Sequence, residues 1–152
     1  MKNLFIFYLI IFFIFFVKLV NSHMYEVDGI EILHPWATET DSEGNASAYI
    51  TITNNTKDII YLKKIETNIS KMHMFISNDK SVKSISIPAN SIRSIDDFSI
   101  MFHGIDTHLK EGSAFPAKLI FSSGVDINIK FVVGETTSLD DADKKMEHKH
   151  HH

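Results

Sequence analysis

A chain of 152 residues that is 44% hydrophobic, with 12 Phe, is long enough for one ordinary domain with a real core and requires no second. Its formal charge of −4 with His neutral, and the lack of any Lys/Arg cluster interleaved with aromatics, leave no electrostatic footprint for nucleic acid. The absence of cysteine excludes a disulfide framework and thiolate metal sites, so a soft metal would have to be held by thioether and imidazole.

In chain order, Lys2 precedes an unbroken apolar run from Leu4 to Val17, and Val20-Asn21-Ser22 offers compact residues before a cut after Ser22. Residues 1–22 are therefore expected to be a signal peptide. Lys18 stops the run short of the roughly 20 residues of a spanning helix, and an uncleaved signal is the alternative through which the chain would touch a membrane. Either way the domain, residues 23–134, is expected outside the cytoplasm.

Tyr25 to Leu33 alternates and reads as a first strand broken at Asp28-Gly29. His34-Pro35-Trp36-Ala37 follows, with the proline suiting a strand end or edge and the single Trp expected as a core anchor. Thr38 to Asn45 is a polar loop. Ala46 to Thr53 alternates cleanly, Asn54 to Asp58 has turn chemistry, and Ile59 to Ile65 starts the next strand, so the two strands read as a hairpin. Lys71 to Ile76, a turn at Ser77 to Lys80, and the imperfectly alternating Ser81 to Ile87 come next. Ser91 to Ile95 is short, Phe98 to His103 alternates, and Phe115 to Ser122 with Val125 to Val133 forms a last hairpin. Short strands at intervals of about eight to twelve residues, without a helical period, predict an all-β antiparallel sandwich or barrel. From Gly134 the chain turns polar and charged, and residues 135–152 are expected to be a disordered tail carrying Met146, His148, His150, His151 and His152, either a metal-collecting terminus or the remnant of a tag.

The chemistry lies in Phe98 to Gly112, FSIMFHGIDTHLKEG. In an extended strand Ser99, Met101 and His103 line one face and Phe98, Ile100 and Phe102 the other, which offers a thioether and an imidazole to one ion. That donor pair suits cuprous copper better than hard cations. Upstream, KMHMFIS carries His73 between Met72 and Met74, and strand geometry turns His73 away from both methionines. The candidate metal site is therefore His73, Met101 and His103, set against the plain alternative that they are packing or surface residues.

Several landmarks fall in order: HPWA at His34, the ASAYITITN strand, a His in a middle strand, IPA at Ile87, IMFHGI followed by LKEG, and a closing strand pair between Phe121 and Phe131. From about His34 to Val133 this resembles the PCu(A)C family of periplasmic copper chaperones. The resemblance implies a cupredoxin-like antiparallel β-sandwich of Greek-key type that binds one copper(I) at its surface and passes it to the binuclear copper centre of cytochrome c oxidase. The implied partner is a copper-accepting membrane oxidase subunit or another copper carrier, and the implied state is a monomer. The family's first His matches His73 and the Met of its His-x-Met pair matches Met101. The His of that pair falls on Ser99, and the family's hairpin Met falls near Ser84 or is lost, so the pair here is inverted to Met101-x-His103.

The expected function is a metallochaperone and not an enzyme, since no nucleophile–base pair, paired carboxylates or phosphate loop supports chemistry. The alternative is a metal-free exported β-sandwich that has lost the copper site and binds another protein through strand edges or loops. An enzymatic reading would require His23, freed by signal cleavage, to chelate copper through its amine and ring together with a second His.

Overall fold

The structure, a computed structural model, describes residues 24–134; the expected signal peptide and the His-rich tail lie outside them. Eleven strands run in order: β1 (Met24–Val27), β2 (Ile30–Ala37), β3 (Ala46–Asn54), β4 (Ile60–Thr67), β5 (Met72–Ser77), β6 (Lys80–Val82), β7 (Ile85–Ile87), β8 (Ser91–Arg93), β9 (Ser99–His103), β10 (Ala114–Phe121) and β11 (Asp126–Val133). They pair in the order β6-β5-β9-β3-β2-β11-β10-β4-β7, with β1 on β2 and β8 on β3. The all-β expectation holds. One pairing departs from the antiparallel pattern: β11 lies parallel to β2, with Val132 beside Trp36 and Val133 beside Ala37.

Alternation in the sequence sets which side chains enter the core. Along β3 each buried residue is followed by a half-buried one, and along β11 by an exposed one. The inward set meets in a cluster around Phe102, Phe115 and Phe131, with ring centroids 5.8, 6.1 and 5.3 Å apart. These spacings suit edge-to-face and offset packing.

Four sequence expectations change. Tyr25 to Leu33 is not one broken strand but a hairpin: Asp28 and Gly29 both have positive φ, as a two-residue turn requires, and Val27 pairs with Ile30. β3 and β4 are not a hairpin, since β3 pairs with β2, β8 and β9 while β4 pairs with β10 and β7. Ser81 to Ile87 is two strands serving different neighbours, β6 on β5 and β7 on β4, which accounts for its faulty alternation. Trp36 is not a core anchor. It sits half-buried between buried Pro35 and Ala37 and stacks on Tyr49 of β3 at 4.3 Å between centroids. His34, exposed and at φ 49°, occupies the irregularity where the β2–β3 register shifts.

Asn54 draws the sheet round toward closure. Fully buried at the end of β3, it donates from Nδ2 to the carbonyls of Asp58, Ile87 and Pro88 at 2.8, 3.1 and 3.1 Å, and its Oδ1 accepts from the N–H and hydroxyl of Thr56. Nearby, Arg93 of β8 donates from Nε to the Ser86 carbonyl of β7 at 3.1 Å. These side chains join β3 and β8 to β7 without a continuous ladder between them. No helix among the described residues is long and apolar enough to cross a membrane.

Candidate metal centre

The site is built on β9, which is paired on both edges. Against β5, Met72 faces His103, His73 faces Phe102 and Met74 faces Met101; against β3, Ser47 faces Met101 and Ala46 faces Phe102. Directly opposed residues project from the same side of a sheet, with Cβ atoms about 4.5–5.5 Å apart. Two sets follow. Phe102, His73, Ala46 and Phe75 point inward, whereas Met72, Met74, Met101 and His103 share the outer face.

Met101 and His103 therefore lie together, as expected, and His73 lies on the other side of the sheet. Its ring meets Phe75 edge-on at 5.2 Å, and its Nε2 accepts the Ile65 N–H of β4 at 3.4 Å. β7 covers the edge of β4 only from Ile60 to Leu62, so His73 supplies an acceptor for a donor that this strand no longer reaches. Burial, and then the charge of Lys64, hold its pKa below the ordinary imidazole value, which keeps the ring a neutral acceptor.

The outer face brings in two residues that the sequence reading set aside, Met72 and Met74. Their signal was present in KMHM, where both methionines occupy the face opposite His73. Met72 is 65% exposed and Met74 38%, while Met101 and His103 are half-buried. Ser70 pins the end of this ladder: its hydroxyl lies 2.7 Å from the Met72 carbonyl and 2.6 Å from that of His103, and it accepts the Met72 N–H at 3.2 Å.

His103 has one ring nitrogen engaged and one bare. Nδ1 is 2.9 Å from Asn45 Oδ1, whereas Nε2 is buried with no hydrogen-bond partner. An orphaned buried nitrogen costs about 1–3 kcal/mol, and a neutral imidazole lone pair without a proton donor is what a soft metal takes up. Three methionines share the outer face with His103, and thioether and imidazole are donors that suit cuprous copper and not calcium or magnesium. Among the described residues no three His, Asp or Glu side chains gather into a metal cage, whereas the outer face carries three of the four methionines there, Met72, Met74 and Met101.

The architecture is shared with solved proteins. The copper-bound PCuAC domain from PmoF2 superposes with a TM-score of 0.67 at 22% identity, covering 74% of this chain and 97% of that domain. The apo PCuAC domain of PmoF2 gives 0.68 at 20% identity over 76% and 98%. The solution structure of CuI-DR1885 from Deinococcus radiodurans gives 0.58 at 21% identity over 80% and 87%. The fold is thus that of a PCuAC-type, cupredoxin-like β domain. Within that class, residues 30–133 match the family model described as "Putative lipoprotein LpqE-like", and the chain belongs to this family. No curated protein matches it by sequence.

Proposed function

We propose that this chain is a copper(I)-carrying metallochaperone, with His103 Nε2 and the sulfur atoms of Met101, Met74 and Met72 as the donor set. The observation that carries the reading is the β5–β9 register, which sets Met74 against Met101 and Met72 against His103 on the outer face beside a bare imidazole nitrogen. The likeness of fold to copper-bound PCuAC domains supports it. His73, which the family resemblance offers as a ligand, acts in this reading as a structural acceptor. Copper is cargo here, and the ligand set suits holding and releasing it: thioethers bind cuprous copper without proton release, and two of the three, Met72 and Met74, sit exposed where an incoming donor has access. No step in this function is enzymatic.

The place of work is outside the cytoplasm, an assignment favoured by the apolar N-terminal run and by the lipoprotein family to which the chain belongs. The receiver is a copper-accepting membrane oxidase subunit, at the binuclear copper centre of cytochrome c oxidase, or another copper carrier. This part of the proposal rests on the PCu(A)C resemblance.

A competition titration with a chromogenic cuprous chelator tests the reading, using the full chain with His148, His150, His151 and His152 replaced by Ser so that the tail does not report. One equivalent of copper(I) should bind. Met101→Leu, which keeps volume and removes sulfur, and His103→Ala should each weaken binding at least tenfold. Undiminished binding in both variants would remove the outer face from the site, and no binding by the parent would leave a metal-free β domain.

A further inference from the structure

We infer that Asn45 is a positioning residue for His103: oriented by Asp41, it fixes the imidazole in the tautomer that leaves Nε2 free for the metal. This rests on the ligand set proposed above. The argument runs through hydrogen-bond chemistry alone. An ionised carboxylate only accepts hydrogen bonds, and Asp41 is a good anchor because the N–H groups directed at it hold its pKa below the usual carboxylate value. Asp41 Oδ1 accepts the backbone N–H groups of Glu43 and Asn45, both at 2.8 Å, and Asp41 Oδ2 lies 3.3 Å from Asn45 Nδ2.

The amide of Asn45 can place only its NH₂ toward that oxygen, since the flipped orientation would set carbonyl against carboxylate. Its Oδ1 is consequently directed at His103, where it stands 2.9 Å from Nδ1. A carbonyl oxygen accepts, so Nδ1 must carry the proton. In a neutral imidazole the other nitrogen is then an unprotonated lone pair, and this is the buried atom that finds no partner within the protein. A carbonyl on the far nitrogen is the usual way a protein orients a ligating histidine and raises its basicity.

The loop is held in place for the task. Asp41 N–H donates to the Asn45 carbonyl at 2.8 Å, and Ile105 N–H, two residues beyond His103, donates to the Gly44 carbonyl at 2.9 Å. Gly44 has φ +79°, and an added Cβ would stand 3.4 Å from the Ile105 carbonyl, so the loop meets the end of β9 through a residue with no side chain. Asn45 makes its loop-closing bonds through its backbone. Substituting its side chain therefore removes only the contacts to Asp41 Oδ2 and His103.

The test compares wild type with Asn45→Ala and Asn45→Asp in metal-free and copper-loaded protein. Long-range ¹H–¹⁵N spectra of the metal-free chain at a pH where His103 is neutral should show its proton on Nδ1. Asn45→Ala should move it to Nε2, the tautomer isolated histidine favours, and weaken copper(I) binding about 10- to 100-fold. Asn45→Asp, placed in an Asp41→Asn background so that an amide and not a second carboxylate faces it, keeps an acceptor toward Nδ1 and should restore both the tautomer and an affinity within about threefold of wild type. An Nε2 proton in the wild type, or an unchanged tautomer in Asn45→Ala, would overturn the inference. The spectra need no metal, so a tautomer that follows Asn45 while His103→Ala binds copper as wild type establishes the relay and strikes out the ligand set instead.

Discussion

His73 and His103 stand on adjacent strands, yet the pleat gives them opposite work. His73 faces inward, where its neutral ring accepts from Ile65 N–H and packs against Phe75. Its folded-state pKa is lowered, so below about 6.5 the unfolded chain takes up a proton that the folded chain refuses. The corresponding stability is complete above that pH and is lost as pH falls through the lower folded value. Urea midpoints should decline from pH 7.5 to pH 5, and His73→Gln, which retains an acceptor without a titration, should flatten that decline. The same variant should bind copper(I) within about threefold of wild type; loss of binding would return His73 to the ligand set.

At the scale of elements, the β5–β6 turn is a two-residue loop in which Asn78 and Asp79 stand at φ 49° and 58°. Such loops favour glycine at the second position, so Asp79→Gly should raise stability by about 0.5–1 kcal/mol in chemical denaturation. A lower midpoint would show that the Asp side chain holds the turn. At the other end of β5, Ser70→Ala should cost about 1–2 kcal/mol and raise hydrogen exchange at the Met72 amide, because the hydroxyl ties both strands of the ladder. Equal exchange in the two proteins would mean that the register is set elsewhere. Much at this scale was legible. The strict alternation of Ala46 to Thr53 and of Phe98 to His103 gave the correct faces, because a period of two is a local property of a strand. Partners are not local. Nothing in Ile59 to Ile65 shows that it pairs with β10 and not with β3, and nothing in KMHM shows which of its faces joins the outer face of β9. That second choice puts the two methionines, and not His73, on the face of Met101 and His103, whereas the family landmark pointed to His73.

For the whole molecule, Asn54 replaces a missing stretch of ladder between β3 and β7. Asn54→Ala would remove the Nδ2 bonds to the Asp58, Ile87 and Pro88 carbonyls and leave the Thr56 N–H without its acceptor, and it should lower unfolding free energy by about 2 kcal/mol or more. The residue lies at the opposite end of β3 from Ser47, the neighbour of Met101, so the folded fraction should still take up copper. A loss below about 1 kcal/mol would mean that the near-closure does not depend on this side chain. The β-rich architecture was readable from the punctuation of the chain, whereas the parallel meeting of β2 and β11 was not, since it joins segments from opposite ends of the domain.

The two halves of the proposed donor set differ in mechanical footing. Met101 and His103 ride a strand gripped on both flanks, one of them under the tether of a neighbouring loop, while Met72 and Met74 ride an outer strand whose further neighbour is the three-residue β6. For a carrier of the proposed kind, this would make a vice whose inner jaw is more firmly backed than its outer one. Cargo so held would loosen first on the exposed outer side, so a recipient approaching across β5 would exchange one sulfur at a time and leave the anchored imidazole as the last bond to part.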